Sequence, residues 1–114
     1  ITYTYSERLN EIHNVMDSIL KYYKQKEFYD IYKEELEYIF VRYSFATYIK
    51  RLAKTKDKKR FKEGIHLVKS RVNDLFPNYK KNKYLYSGKK NFYLKNFNNF
   101  FAYLIYYLEK NKMN

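Results

Sequence analysis

Cysteine is absent from this chain, so neither a disulfide framework nor a thiolate metal site can be built from it. That fits a reducing compartment. Glycine occurs only twice, at Gly64 and Gly88, which excludes a Gly-rich phosphate loop. The single proline, Pro77, leaves long stretches in which nothing interrupts a helix. No run of 18 apolar residues occurs and no cleavable leader pattern is visible, so a membrane-spanning helix is not expected. The acids Asp17, Asp30, Asp57 and Asp74 stand apart, with no D-x-D pair to hold a divalent ion on a nucleotide diphosphate. His13 and His66 are lone histidines outside any metal-site spacing. No catalytic constellation emerges, so these 114 residues are not expected to be a catalyst by themselves.

What is present is aromatic and basic. With 16 Tyr and 9 Phe, the core must be aromatic, and many tyrosines should sit at its boundary with the hydroxyl in water. The net charge of +12 is uneven. Residues 1–49 carry eight acids and six bases, net −2, whereas residues 50–114 carry four acids and eighteen bases, net +14. A basic half of this kind attracts nucleic acid, anionic lipid or an acidic partner. A bland origin competes: Lys, Asn, Tyr, Phe and Ile make up 63 of the 114 residues, and all use A/T-rich codons. One domain is expected at this length, and a first residue of Ile1 makes a fragment of a longer chain the expectation.

Hydrophobic periodicity predicts an all-α fold, a compact bundle of about four helices. Thr4 and Glu7 fit a capping box, with Ser6 as a rival N-cap, and the first helix runs to about Lys26. Its stripe is Leu9, Ile12, Met16, Ile19, Leu20 and Tyr23, with His13 at the border. The second helix spans residues 28–52, with a main stripe of Tyr29, Tyr32, Leu36, Ile39, Tyr43 and Ala46. Phe28, Phe40, Phe45 and Ile49 widen that face, which places this helix centrally. Glu37 lies beside it, and a partly buried carboxylate needs a cation or donors. Arg42 is the expected partner, or else a tyrosine hydroxyl, and Glu37 with Arg42 reads as a structural polar pair instead of a general base.

Asp57 is the expected N-cap of a third helix with a seam of Phe61, Ile65, Val68, Val72 and Leu75. Gly64 weakens it by about 1 kcal/mol relative to Ala but permits close packing. Pro77 stops that helix, and residues 78–90 read as a basic, aromatic, turn-like segment. The fourth helix runs from about Asn91 to Lys110 on a stripe of Phe97, Phe101, Leu104 and Leu108, and is apolar almost all round. Such a helix is central or faces something apolar, a second copy of the chain included. Two basic, aromatic-interleaved patches remain, Lys50–Lys62 and Lys80–Lys90, in which Lys58, Lys59 and Arg60, and Lys80, Lys81 and Lys83, stand out. They are candidate contacts for an anionic surface, a bilayer ahead of nucleic acid because no nucleic-acid motif is visible. A plain solvated surface is the competing reading, and a basic nucleic-acid module is the alternative function.

The string YKEELEYIFVRYSF at residues 32–45, preceded by LKYYKQKEFYDI and followed by LFPNYKKNKYL, resembles the C-terminal helical region of bacterial family 2 glycosyltransferases. Ile1 and Thr2 match the tail of the family's S-I-T stretch, and Tyr22 and Tyr23 its tyrosine pair. Glu34, Glu35, Leu36, Glu37 and Tyr38 match its acidic helix, and Phe76 to Asn82 its FPNWKKN segment, with Tyr79 in place of Trp. The likeness covers residues 1–95. It implies a parent enzyme of capsular or cell-wall polysaccharide synthesis that uses a nucleotide-sugar donor and a divalent metal. The catalytic residues lie upstream and have no counterpart here, so no cofactor is expected in this piece. Residues 1–114 are then a C-terminal accessory domain without the catalytic α/β domain. It would be cytoplasmic, and would pack on the upstream domain, shape the acceptor side or hold the enzyme at the inner face of the membrane.

Overall fold

A tight turn with a left-handed non-glycine residue, Glu27 at φ 61°, separates the first two helices. The computed structural model describes residues 7–111; the expected caps Thr4 and Ser6 fall outside them. Within that range the chain is helical with short turns and no strand. A 3-10 turn, Glu7–Asn10, leads into α1, Glu11–Gln25. Then come α2, Tyr29–Arg42, a π-helical segment, Tyr43–Tyr48, and α3, Ile49–Lys54, which join end to end in one rod. The fourth helix, α4, covers Lys58–Leu75. Two 3-10 turns, Tyr79–Lys81 and Lys83–Leu85, precede α5, Lys89–Lys95, and α6, Asn99–Lys110.

The rod is the spine of the fold, but its buried face differs from the expected stripe. Leu36, Phe40, Ser44, Tyr48 and Leu52 are buried, as are Glu37, Val41, Phe45, Ile49 and Ala53, whereas Tyr32, Ile39 and Tyr43 are exposed. The buried pairs recur every four residues. An α-helix advances about 100° per residue, so a four-residue repeat drifts about 40° per turn. The wider i→i+5 turns of residues 43–48 take up part of that drift and keep the repeat on one side. A kink at Tyr32 (φ −109°, ψ 18°) bends the rod near its start.

The expected fourth helix is divided. The Asn98 side chain accepts from the Phe101 N–H at 3.0 Å and starts α6 afresh. This break turns the buried face of α6 to Ala102, Tyr106 and Glu109 and leaves Leu104 and Leu108 outside. Phe97, in the break, is buried and stacks on Phe45 with ring centroids 4.1 Å apart. The third helix follows expectation: Asp57 accepts from the Arg60 N–H at 3.1 Å, and Phe61, Ile65, Val68 and Val72 are buried. The seam ends there, because Leu75 is exposed and Phe76 takes the inner position against Phe40.

Gly64 sits where α4 crosses the rod. A Cβ there would come 2.2 Å from Leu52 Cδ2 and 3.2 Å from Tyr48 Cε2, both on buried side chains. Overpacking costs about 1–3 kcal/mol, and the helix gains back up to about 1 kcal/mol when Gly becomes Ala. Gly64→Ala should therefore lose roughly 1–2 kcal/mol in urea unfolding. An Ala variant as stable as the parent would mean that the Leu52 side chain yields freely.

His13 was expected at a boundary, yet it is buried between α1 and the π segment, its ring 4.3 Å from that of Tyr48. Arg71 of α4 reaches across the same seam. Its Nη2 donates to the Asp17 carboxylate at 2.7 Å and to the His13 carbonyl at 3.3 Å, and its guanidinium lies over the Phe40 ring.

Candidate functional site

The densest polar cluster joins the acidic turn of α2 to the segment after Pro77. Asn82 is buried at its centre, held by its place between the two 3-10 turns. Its Nδ2 donates to the Glu34 carbonyl at 2.8 Å and to Glu37 Oε1 at 2.9 Å, while its Oδ1 accepts from the Tyr84 N–H at 2.8 Å. The Lys83 N–H donates to Glu34 Oε2 at 3.2 Å, and the Tyr84 hydroxyl to Glu35 Oε2 at 2.5 Å. Tyr38 stacks obliquely on Tyr84 and donates to Asn91 Oδ1. The hydrogen bond from Tyr84 holds the Glu35 carboxyl below its usual range and lifts the Tyr84 phenol above its own.

Glu37 is thus a buried carboxylate, as the sequence suggested, but the donor that reaches it is Asn82. Arg42 is exposed and is not among the partners of Glu37 within the described residues. The pairing of Glu37 with Arg42 is corrected accordingly: a neutral amide some 45 positions away in sequence satisfies the carboxylate. Sequence spacing favoured the cation one turn along, because Asn82 gains its position only when the 78–86 segment folds back on α2.

The two basic patches are not one site. Lys58, Lys59 and Arg60 begin α4, whereas Lys80, Lys81 and Lys83 follow its end, with about 26 Å of helix between. Lys83 lies over the Tyr84 ring, and its charge acts on the Glu35 carboxylate that accepts from Tyr84. Lys58 instead turns to α6, where its Nζ donates to the Tyr107 hydroxyl at 3.2 Å. This bond raises the ammonium pKa. Lys59 and Arg60 are exposed beside it, and Arg60 pairs with Glu63 at 3.5 Å.

A shallow cleft of about 370 Å³ lies between α4 and the Phe45–Phe97 stack, lined by Val72, Tyr79 and Phe97 with Lys69 and Asn73 at its rim. Behind the stack, Tyr93 of α5 donates to the Phe45 carbonyl, and burial raises its phenol pKa. Among the described residues no group of three or more His, Asp or Glu is placed to hold a metal ion. No helix of those residues is long and apolar enough to cross a membrane. The Asn82 junction clasps the segment after Pro77 to α2. No protein-family model matches the chain, and neither do any curated proteins or solved structures.

Proposed function

We propose that this chain is a non-catalytic helical domain of a family 2 glycosyltransferase that transfers a sugar from a nucleotide-sugar donor in polysaccharide synthesis. It packs on the catalytic domain and shapes the acceptor side. The observation that supports this reading is the Asn82 clasp. The two segments that carry the likeness, residues 34–38 and 76–82, lie apart in sequence and meet in one hydrogen-bonded unit. A shared pattern of acidic helix and F-P-N-x-K-K-N segment then has one physical purpose: Glu37 needs Asn82, and the proline stops α4 so that Asn82 can arrive. The nucleotide-sugar and its metal belong to the upstream domain in this reading, not to these residues.

Sequencing the gene on the 5′ side of the Ile1 codon tests it. An in-frame α/β domain with a D-x-D motif is the expected result. A reading frame that starts at or next to Ile1 would overturn the proposal.

A further inference from the structure

The outer face of α6 is apolar along its length. Phe100, Leu104 and Leu108 recur every four residues and are 72%, 47% and 61% exposed. Tyr107 borders them on one side, and on the other Phe101 carries the apolar surface across to Phe92 of α5, with ring centroids 6.2 Å apart. The charges around this face are mostly positive, the half-buried Asp57 cap of α4 being the acid that acts on Tyr106. Along α4, Lys58 bonds Tyr107 and Lys69 bonds Asn99, so α4 and α6 run antiparallel with a lysine at each end of the seam. Lys62, four residues after Lys58 and seven before Lys69, stands in the same row. On α5, Lys89 and Lys95 flank Phe92, three residues to either side. The acid of α6, Glu109, is buried, and Glu63 and Asp74 of α4 stand about 100° or more around that helix from the lysine row.

We propose that this face docks on an anionic phospholipid bilayer, with α6 lying in the interface plane. Phe100, Leu104 and Leu108 enter the acyl boundary, Tyr107 sits at headgroup level, and the Lys58–Lys62–Lys69 row pairs with phosphates. Aromatic and aliphatic side chains on one helical line, bracketed by lysines with no exposed acid between them, match such a surface in both polarity and charge. A protein surface of opposite charge would satisfy the lysines but not an open line of exposed Phe and Leu; an apolar protein face would do the reverse. The Lys80–Lys81–Lys83 loop instead sits beside the acidic turn of α2, where the Lys83 N–H bonds Glu34 and the Lys83 charge acts on Glu35. The inference does not rest on the transferase reading, since vesicle binding is measured without any sugar donor and would stand if no upstream domain existed.

The test is flotation of the full 114-residue chain with phosphatidylglycerol-containing and pure phosphatidylcholine vesicles. The chain should float with the anionic vesicles. Phe100→Ser/Leu104→Ser/Leu108→Ser should cut partitioning by at least about tenfold. Lys58→Gln/Lys62→Gln/Lys69→Gln should remove the preference for anionic vesicles, while Lys80→Gln/Lys81→Gln/Lys83→Gln should keep it. The single variants Phe100→Ser and Leu108→Ser serve if the triple fails to fold by circular dichroism. A parent chain that stays in the soluble fraction overturns the proposal, as does a loop variant that loses binding while the α4 variant does not. A parent that fails to float but dimerises through α6 assigns the face to a second copy and overturns it as well.

Discussion

Asn82→Ala is expected to lose about 2–4 kcal/mol of unfolding free energy in urea, because it strips a buried carboxylate of its donor. The amide makes three contacts that Ala cannot: to the Glu34 carbonyl, to Glu37 Oε1 and from the Tyr84 N–H. Two of these fix the 3-10 turns, and the third neutralises the cost of enclosing Glu37. If the last dominates, replacing both partners should cost less than the sum of the single changes. Asn82→Leu with Glu37→Leu then recovers roughly 1–2 kcal/mol relative to additivity. A single variant within about 0.5 kcal/mol of the parent would mean that water replaces Asn82 without penalty.

Acid should unfold the protein through His13. Burial, then the Arg71 charge, lower its pKa from 6.5 to about 4, with Asp17 opposing. Its Nε2 is buried without a hydrogen-bond partner. The sign follows from proton counting. Between pH 6.5 and about 4 the unfolded chain holds a proton on this ring that the native state refuses. Stability is therefore complete above the unfolded pKa, falls as pH drops through that window, and levels off below the folded value. The full loss is about 3 kcal/mol for a shift of this size. His13→Leu removes the proton that drives it, so the difference in unfolding free energy between parent and variant should shrink from pH 7 to pH 4 by about that amount. A parent whose pH profile overlays that of His13→Leu would contradict the buried neutral ring.

Much of the architecture was legible because it is local. Asp57 as a cap, the Phe61–Val72 seam and the stop at Pro77 depend on neighbours within a few positions, and all appear where the sequence puts them. The misplacements have other causes. In the rod the buried face centres on Leu36, Glu37, Phe40 and Val41, so Tyr32 and Ile39 of the expected stripe already lie outside before the π segment begins, and that segment changes the period only from Tyr43 onward. The last helix was drawn through Asn98, whose capping bond restarts it and turns its buried face away from Leu104 and Leu108. His13 packs on Tyr48 and has its carbonyl bonded by Arg71, about 58 positions away, and Glu37 is bonded by Asn82, about 45 away; no local pattern reveals such partners. The lysine patches were legible as charge but not as sites, since only the fold decides that Lys83 lies beside the acids of α2 and Lys58 beside α6.

The embrace of α3 by α6 also sets a timetable for synthesis. Ile49, Leu52 and Ala53 are fully buried, α6 packs on this short helix, and Tyr106 ties to the Lys56 carbonyl across 50 positions. A ribosome adding about 5–20 residues per second needs roughly 3–10 seconds between them. During that interval α3 has α4 beside it but its α6-facing side stays open to chaperones and to other chains, and closure of that side must wait for α6.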